Sequence, residues 1–124
     1  DRNDLQHCKF TLLMEDRLFI APIVNSPQKI LDLGTGSGIW AIDMADQYPS
    51  AKIIGVDTAQ SNQRLASELV FEVDDIEHDW LWAPSSFDFI HGRELIMAIH
   101  DWPRLIRQAF NHLKPGGHLQ LAGS

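Results

Sequence analysis

Apolar positions in this chain fall into five short runs, separated by polar punctuation and by two stretches with helical spacing. Ile30 to Leu33, Ile53 to Asp57, Leu69 to Val73, Phe87 to His91 and His118 to Ala122 have the length and near-continuous hydrophobicity of strands covered on both faces. Gly38 to Gln47 reads as a helix, stopped by Tyr48-Pro49. The clearest helix follows Asp101, an N-cap residue, with Trp102, Leu105, Ile106, Ala109, Phe110 and Leu113 repeating along one face. Lys114-Pro115-Gly116-Gly117 ends that pattern. Residues 1–20 also predict a helix, capped at Asn3 or Asp4, with Leu5, Cys8, Leu12 and Phe19 on one side and Phe10, Met14 and Leu18 widening the face. Ala21-Pro22 and Ser26-Pro27 punctuate the approach to the first strand, so 1–27 reads as an N-terminal helix and linker before a core over 28–124.

Strands alternating with helices call for crossover connections and a parallel sheet. The expected fold is α/β, a doubly wound, Rossmann-like sheet in the order 3-2-1-4-5 within one domain of 124 residues. That order leaves the apolar strand around Leu119 to Leu121 at an edge, which native domains cover or pair. Further elements are therefore expected after Ser124.

The candidate chemistry sits between the first strand and its helix, in Ile30-Leu31-Asp32-Leu33-Gly34-Thr35-Gly36-Ser37-Gly38-Ile39-Trp40. Alternating glycines let the backbone bend tightly and approach a ligand without a Cβ in the way. The helix that follows turns unpaired N–H groups toward whatever the bend holds. A dinucleotide fingerprint needs G-x-G-x-x-G, and here Gly38 comes one residue early, which disfavours a nicotinamide cofactor. A glycine turn without a ligand is the plainer alternative. Asp57 closes the second strand, where an α/β nucleotide site places the carboxylate that accepts ribose hydroxyls. Asp75 followed by Ile76 pairs an acceptor for an adenine amino group with an apolar wall, although Asp74, Asp75, Glu77 and Asp79 also read as a solvated acidic loop. Trp80 and Trp82 read as packing anchors. His91, Arg93 and Glu94 end the fourth strand, at the edge where open sheets bind ligands.

Composition narrows the classes. A net charge of −7 disfavours a grip on nucleic-acid phosphates. The single cysteine, Cys8, excludes an internal disulfide, and the six histidines lack the helical pairing of a metal site, so no metal is expected. No apolar run is long enough for a membrane helix and no signal-peptide pattern opens the chain, so a cytoplasmic protein is expected.

The loop resembles the acidic-x-Gly-x-Gly-x-Gly motif of the class I S-adenosylmethionine-dependent methyltransferases, with Asp32, Gly34, Gly36 and Gly38 in the matching places. Gly55-Val56-Asp57, Val73-Asp74-Asp75 and Leu113-Lys114-Pro115-Gly116-Gly117 extend the match from about Ile30 to Leu121. Asp4-Leu5-Gln6-His7, Leu31 to Asp43, Phe71 to Asp75, Phe89-Ile90-His91-Gly92-Arg93 and Asp101-Trp102-Pro103-Arg104 are similar to the LaeA-like fungal methyltransferases, a group of secondary-metabolism regulators and natural-product enzymes.

The resemblance implies a cofactor, S-adenosyl-L-methionine, with S-adenosyl-L-homocysteine as product. It implies contacts from Asp32, Gly34, Thr35, Gly36 and Gly38 at the methionine end, Asp57 and Thr58 at the ribose, Asp75 and Ile76 at the adenine, and His91 nearby. It also implies a small-molecule or protein acceptor, or a methyltransferase-like regulatory subunit working through protein partners, in the cytoplasm or nucleus. Two departures stand out: Thr58 to Leu69 lacks the family's usual proline-rich link, and the family's sixth and seventh strands are not found. An Asn-Pro-Pro-Tyr motif is absent after the fourth strand, where Gly92-Arg93-Glu94 stands.

A sulfonium is an activated leaving group, so holding donor and acceptor in line supplies roughly 7–11 kcal/mol of barrier lowering when alignment is ideal. A general base is needed only for an acceptor that is protonated at working pH. His91 and His100 are candidates for that task, with ordinary hydrogen-bonded histidines as the alternative, and Arg93 is a candidate either for binding an acidic acceptor or for pairing with Glu94.

Overall fold

The computed structural model describes residues 9–13, 28–34, 39–57, 69–73, 76–93 and 99–122. Its elements are β1 (Lys9–Leu13), β2 (Lys29–Leu33), α1 (Ile39–Gln47), β3 (Lys52–Asp57), β4 (Leu69–Val73), β5 (Phe87–Arg93), α2 (Trp102–His112) and β6 (Leu113–Ala122). Among the described residues six strands form one sheet in the order β1-β6-β5-β2-β3-β4, and every pairing is parallel. Counted from β2, the order β4-β3-β2-β5-β6 is the expected 3-2-1-4-5.

The expected N-terminal helix is corrected at its centre. Lys9 to Leu13 is a strand whose Phe10 pairs with Leu119 and Leu12 with Leu121. The same apolar spacing serves a strand, and an open strand edge offers a row of unpaired N–H and C=O groups that a helix cannot satisfy. Tertiary pairing thus overrides the local period, and the edge expected at Leu119 to Leu121 is covered by β1. The remainder of 1–27 lies outside the described residues.

Two cores form on opposite faces of the sheet. On one, Trp40, Ala41, Met44 and Ala45 of α1 pack against Ile30, Ile53 and Phe89. On the other, Leu105 and Ala109 of α2, with Ile76 and Trp80 from the β4–β5 connection, cover Leu31, Leu33, Ile54, Val56, Ile90, Leu119 and Leu121. Leu105 is 2% exposed; burial of that order is worth about 1.5–3 kcal/mol per large aliphatic side chain. Phe87 and Phe89 are an even number of residues apart yet join opposite cores. A register shift between them, where β5 meets β6, turns the strand over.

Helix α2 is capped as its sequence predicts: the Asp101 carboxylate accepts from Arg104 N–H at 3.1 Å. The connection before β5 is tied to this helix. Trp80 N–H donates to Gln108 Oε1 at 2.9 Å and Gln108 Nε2 donates to the His78 carbonyl at 3.0 Å. Trp80 Nε1 donates to the Ile76 carbonyl at 2.8 Å. Trp80 is buried and Trp82 partly so, and their rings meet edge to face, with centroids 5.5 Å apart. The two tryptophans are packing anchors.

Candidate functional site at the carboxyl edge of the sheet

Strand alternation puts Asp32 on the same face of β2 as Ile30, the face that α1 covers. In the register of the sheet Asp32 pairs with Gly55 of β3 and with His91 of β5, and His91 pairs with Gln120 of β6. A buried polar row thus crosses three adjacent strands: Asp32 and His91 are each 2% exposed and Gln120 is 0% exposed. Gly55, beside Asp32, adds no side chain to the row.

The Asp32 carboxylate accepts from His91 Nδ1 at 3.0 Å. A carboxylate only accepts, so the imidazole carries a proton on Nδ1. The His91 ring also lies flat on the Trp40 indole, with centroids 3.9 Å apart and planes 2° from parallel. Trp40 stands in the first turn of α1, immediately after the glycine segment. One imidazole therefore contacts residues on both flanks of the bend.

Beyond this row the strands end. Leu33 pairs with Val56 and with Gly92, so Gly34 follows at the level of Asp57 and Arg93, which close β3 and β5. Gly34 has φ of 64°, a left-handed conformation that glycine adopts without penalty and that starts the bend. Thr35, Gly36, Gly38, Thr58 and Asp75 lie outside the described residues.

Ile76 is buried in the α2-side core. His100 is exposed, and its Nδ1 meets Glu77 Oε2 at 2.9 Å. Glu77 Oε1 accepts from the backbone N–H groups of His100 at 2.7 Å and Asp101 at 3.1 Å. These contacts hold the Glu77 carboxyl below its ordinary range, the His100 side chain contributing most. Arg104 bridges the Glu77 carbonyl and the Asp79 carboxylate. Glu77 is thus tied to the start of α2, whereas Asp79, although paired with Arg104, stays exposed to solvent, as the sequence suggested for this acidic run. His91 and His100 both have carboxylate partners, the ordinary role that their sequence context also allowed.

Sequence reasoning passed over Trp40 and Gln120 as site residues. Gln120 carried a usable signal, a polar side chain within an otherwise apolar strand, but its neighbours are set by register. Trp40 Nε1 is a buried donor without a hydrogen-bond partner. A buried N–H without a partner is rare in folded proteins, and this one belongs to the ring that covers His91. Among the described residues no group of three His, Cys, Asp or Glu side chains is placed to hold a metal ion.

Comparison with known proteins agrees with this geometry. Residues 5–122 match the family model described as "Methyltransferase domain". Over 126 aligned residues the chain is 47% identical to "Methyltransferase pytC" of Aspergillus terreus, covering 100% of this chain and 39% of that protein. It is 38% identical to "Secondary metabolism regulator LAE1" of Cochliobolus heterostrophus, covering 94% of this chain and 39% of that protein. The chain thus spans well under half the length of these curated relatives. Among solved structures, a Haemonchus contortus phosphoethanolamine N-methyltransferase 2 with S-adenosylhomocysteine superposes with a TM-score of 0.64 at 28% identity, over 76% of this chain and 24% of that one. A glycine bend leaving a buried acid in a parallel sheet of this order, together with a family match over nearly the whole length, shows that the chain belongs to the methyltransferase domain family.

Proposed function

We propose that this chain forms the cofactor-binding part of an S-adenosylmethionine-dependent methyltransferase acting on a small molecule of secondary metabolism or on a protein. The observation that carries the reading is the left-handed conformation of Gly34 two residues after buried Asp32, at the carboxyl edge of β2. When bound, the cofactor supplies a methyl group on a positively charged sulfur.

The chain's own residues hold and orient. The bend from Gly34 onward brings backbone close to the ligand, Asp32 serves its amino group, and Asp57 at the end of β3 serves the ribose hydroxyls. Asp75 and Ile76 serve the adenine. Alignment in a confined site is enough for a substitution whose leaving group is already activated.

The test is calorimetry on the full-length protein with S-adenosylhomocysteine and, separately, NAD. Saturable binding of the first and none of the second is the expected result; binding of NAD alone overturns the reading.

A second reading has support in the 38% identity to a secondary-metabolism regulator. Here the same site binds the cofactor in a regulatory subunit that works through protein partners. Labelled S-adenosylmethionine with extracts of candidate acceptors separates the two, since only the enzyme transfers label. Residence in the cytoplasm or nucleus belongs to the same proposal, and fluorescence microscopy of the tagged protein tests it.

A further inference from the structure

We infer that His91 is a positioning residue that sets the affinity of the site for the amino-acid end of its ligand, by fixing the Asp32 carboxylate and the two flanks of the glycine bend at once. The inference rests on the cofactor reading of Asp32 above. The His91 side chain touches both flanks: it donates from Nδ1 to Asp32 Oδ1 at 3.0 Å, before the bend, and lies against Trp40, with ring centroids 3.9 Å apart, after it.

A carboxylate turns freely about its Cβ–Cγ bond unless something holds it. The bond from Nδ1 favours one rotation of Asp32 and so contributes to which way the second oxygen faces. Burial strengthens this control, because His91 and Asp32 are each 2% exposed and water does not compete for the bond. The parallel stack on Trp40 holds the imidazole plane, and Trp40 in turn is packed on Phe89 at 5.9 Å, with planes 19° apart. Asp32 and Trp40 are thus held in place before a ligand arrives, which lowers the ordering cost of binding. Nothing here requires His91 to accept a proton from an acceptor.

The experiment compares two probes on the full-length protein by calorimetry. S-adenosylhomocysteine carries the amino-acid end, and 5′-deoxy-5′-methylthioadenosine lacks it. Four proteins are measured: wild type, His91→Phe, which keeps an aromatic ring for Trp40, His91→Asn, which offers a donor near the place of Nδ1, and His91→Gln, which offers one near Nε2.

The wild type is expected to prefer S-adenosylhomocysteine. His91→Phe is expected to lose about tenfold or more of that preference, the scale of a hydrogen bond to a charged group, with methylthioadenosine affinity unchanged. His91→Asn is expected to retain the preference and His91→Gln to lose it, a comparison that decides the matter should His91→Phe not fold. Equal weakening of both probes in His91→Phe, or equal preferences in the Asn and Gln variants, overturns the inference. A wild type that binds neither probe refutes the cofactor reading itself. A wild type that binds both equally refutes the role of Asp32.

Discussion

The carboxylate of Asp88, on β5, accepts the backbone N–H of Lys29, on β2, at 3.0 Å. The same oxygen accepts the N–H of Gln28 at 2.7 Å. Lys114 Nζ approaches it at 3.5 Å from β6. One side chain thus gathers the starts of three neighbouring strands at the edge opposite the candidate site. Replacing Asp88 by Ala removes the acceptor of two backbone donors and should destabilise the fold by about 1–3 kcal/mol. Urea denaturation checks this, and a midpoint equal to that of the wild type would contradict it.

The Glu77 clamp joins the connection after β4 to the start of α2. Its carboxyl is held below the ordinary value of 4.5 in the folded protein, chiefly by the His100 side chain. A depressed folded pKa means that the carboxylate form favours folding. The contribution is present above the unfolded value and disappears as pH falls through the lower folded value. Glu77→Gln should therefore be less stable than wild type near neutrality, with the difference shrinking below pH 4.5. Thermal melts over that acid range measure it.

Gly116 and Gly117 form one stop signal in the sequence, yet they demand glycine for different reasons. Gly116 has φ of 84° with open space around it, so Gly116→Ala costs backbone strain of about 1–2 kcal/mol. Asparagine tolerates that conformation better, and Gly116→Asn should recover part of the loss. Gly117 is limited by space. A Cβ there would lie 2.9 Å from Leu113 Cδ2, 2.9 Å from the Lys114 carbonyl and 3.2 Å from the Asp88 carbonyl. Two of these neighbours are backbone atoms, so Gly117→Ala should cost about 1–3 kcal/mol through displaced strands. Denaturation of the variants tests both claims.

In the proposed site, Asp57→Ala should weaken S-adenosylhomocysteine binding by about 1–3 kcal/mol, the scale for losing one partner of a buried polar group. The far-ultraviolet spectrum should be unchanged. A bulky residue at Gly36 should abolish binding in a protein that still folds. Retained affinity in either variant removes that residue from the site.

Much of this architecture could be read along the chain, for identifiable reasons. Runs such as Ile30 to Leu33 are too short and too apolar for anything but buried strands, and Asp101 announces α2 because an N-cap acts within one turn. The strand β1 escaped because Phe10, Leu12 and their neighbours satisfy helical and extended patterns equally; the pairing partner lies more than a hundred positions away. The Glu77 clamp was hidden among acids that looked alike, since its donors come from His100 and Asp101, over twenty residues further on.

The sequence by itself determined the alternation of strands and helices, the glycine bend and the acids that flank it, because each depends on local sterics and hydrophobic period. Tertiary structure alone decided that Asp32, His91 and Gln120 share one buried row and that Trp40 closes over it. Those neighbours depend on strand register, and register is set by how faces pack across the sheet, which no single segment encodes.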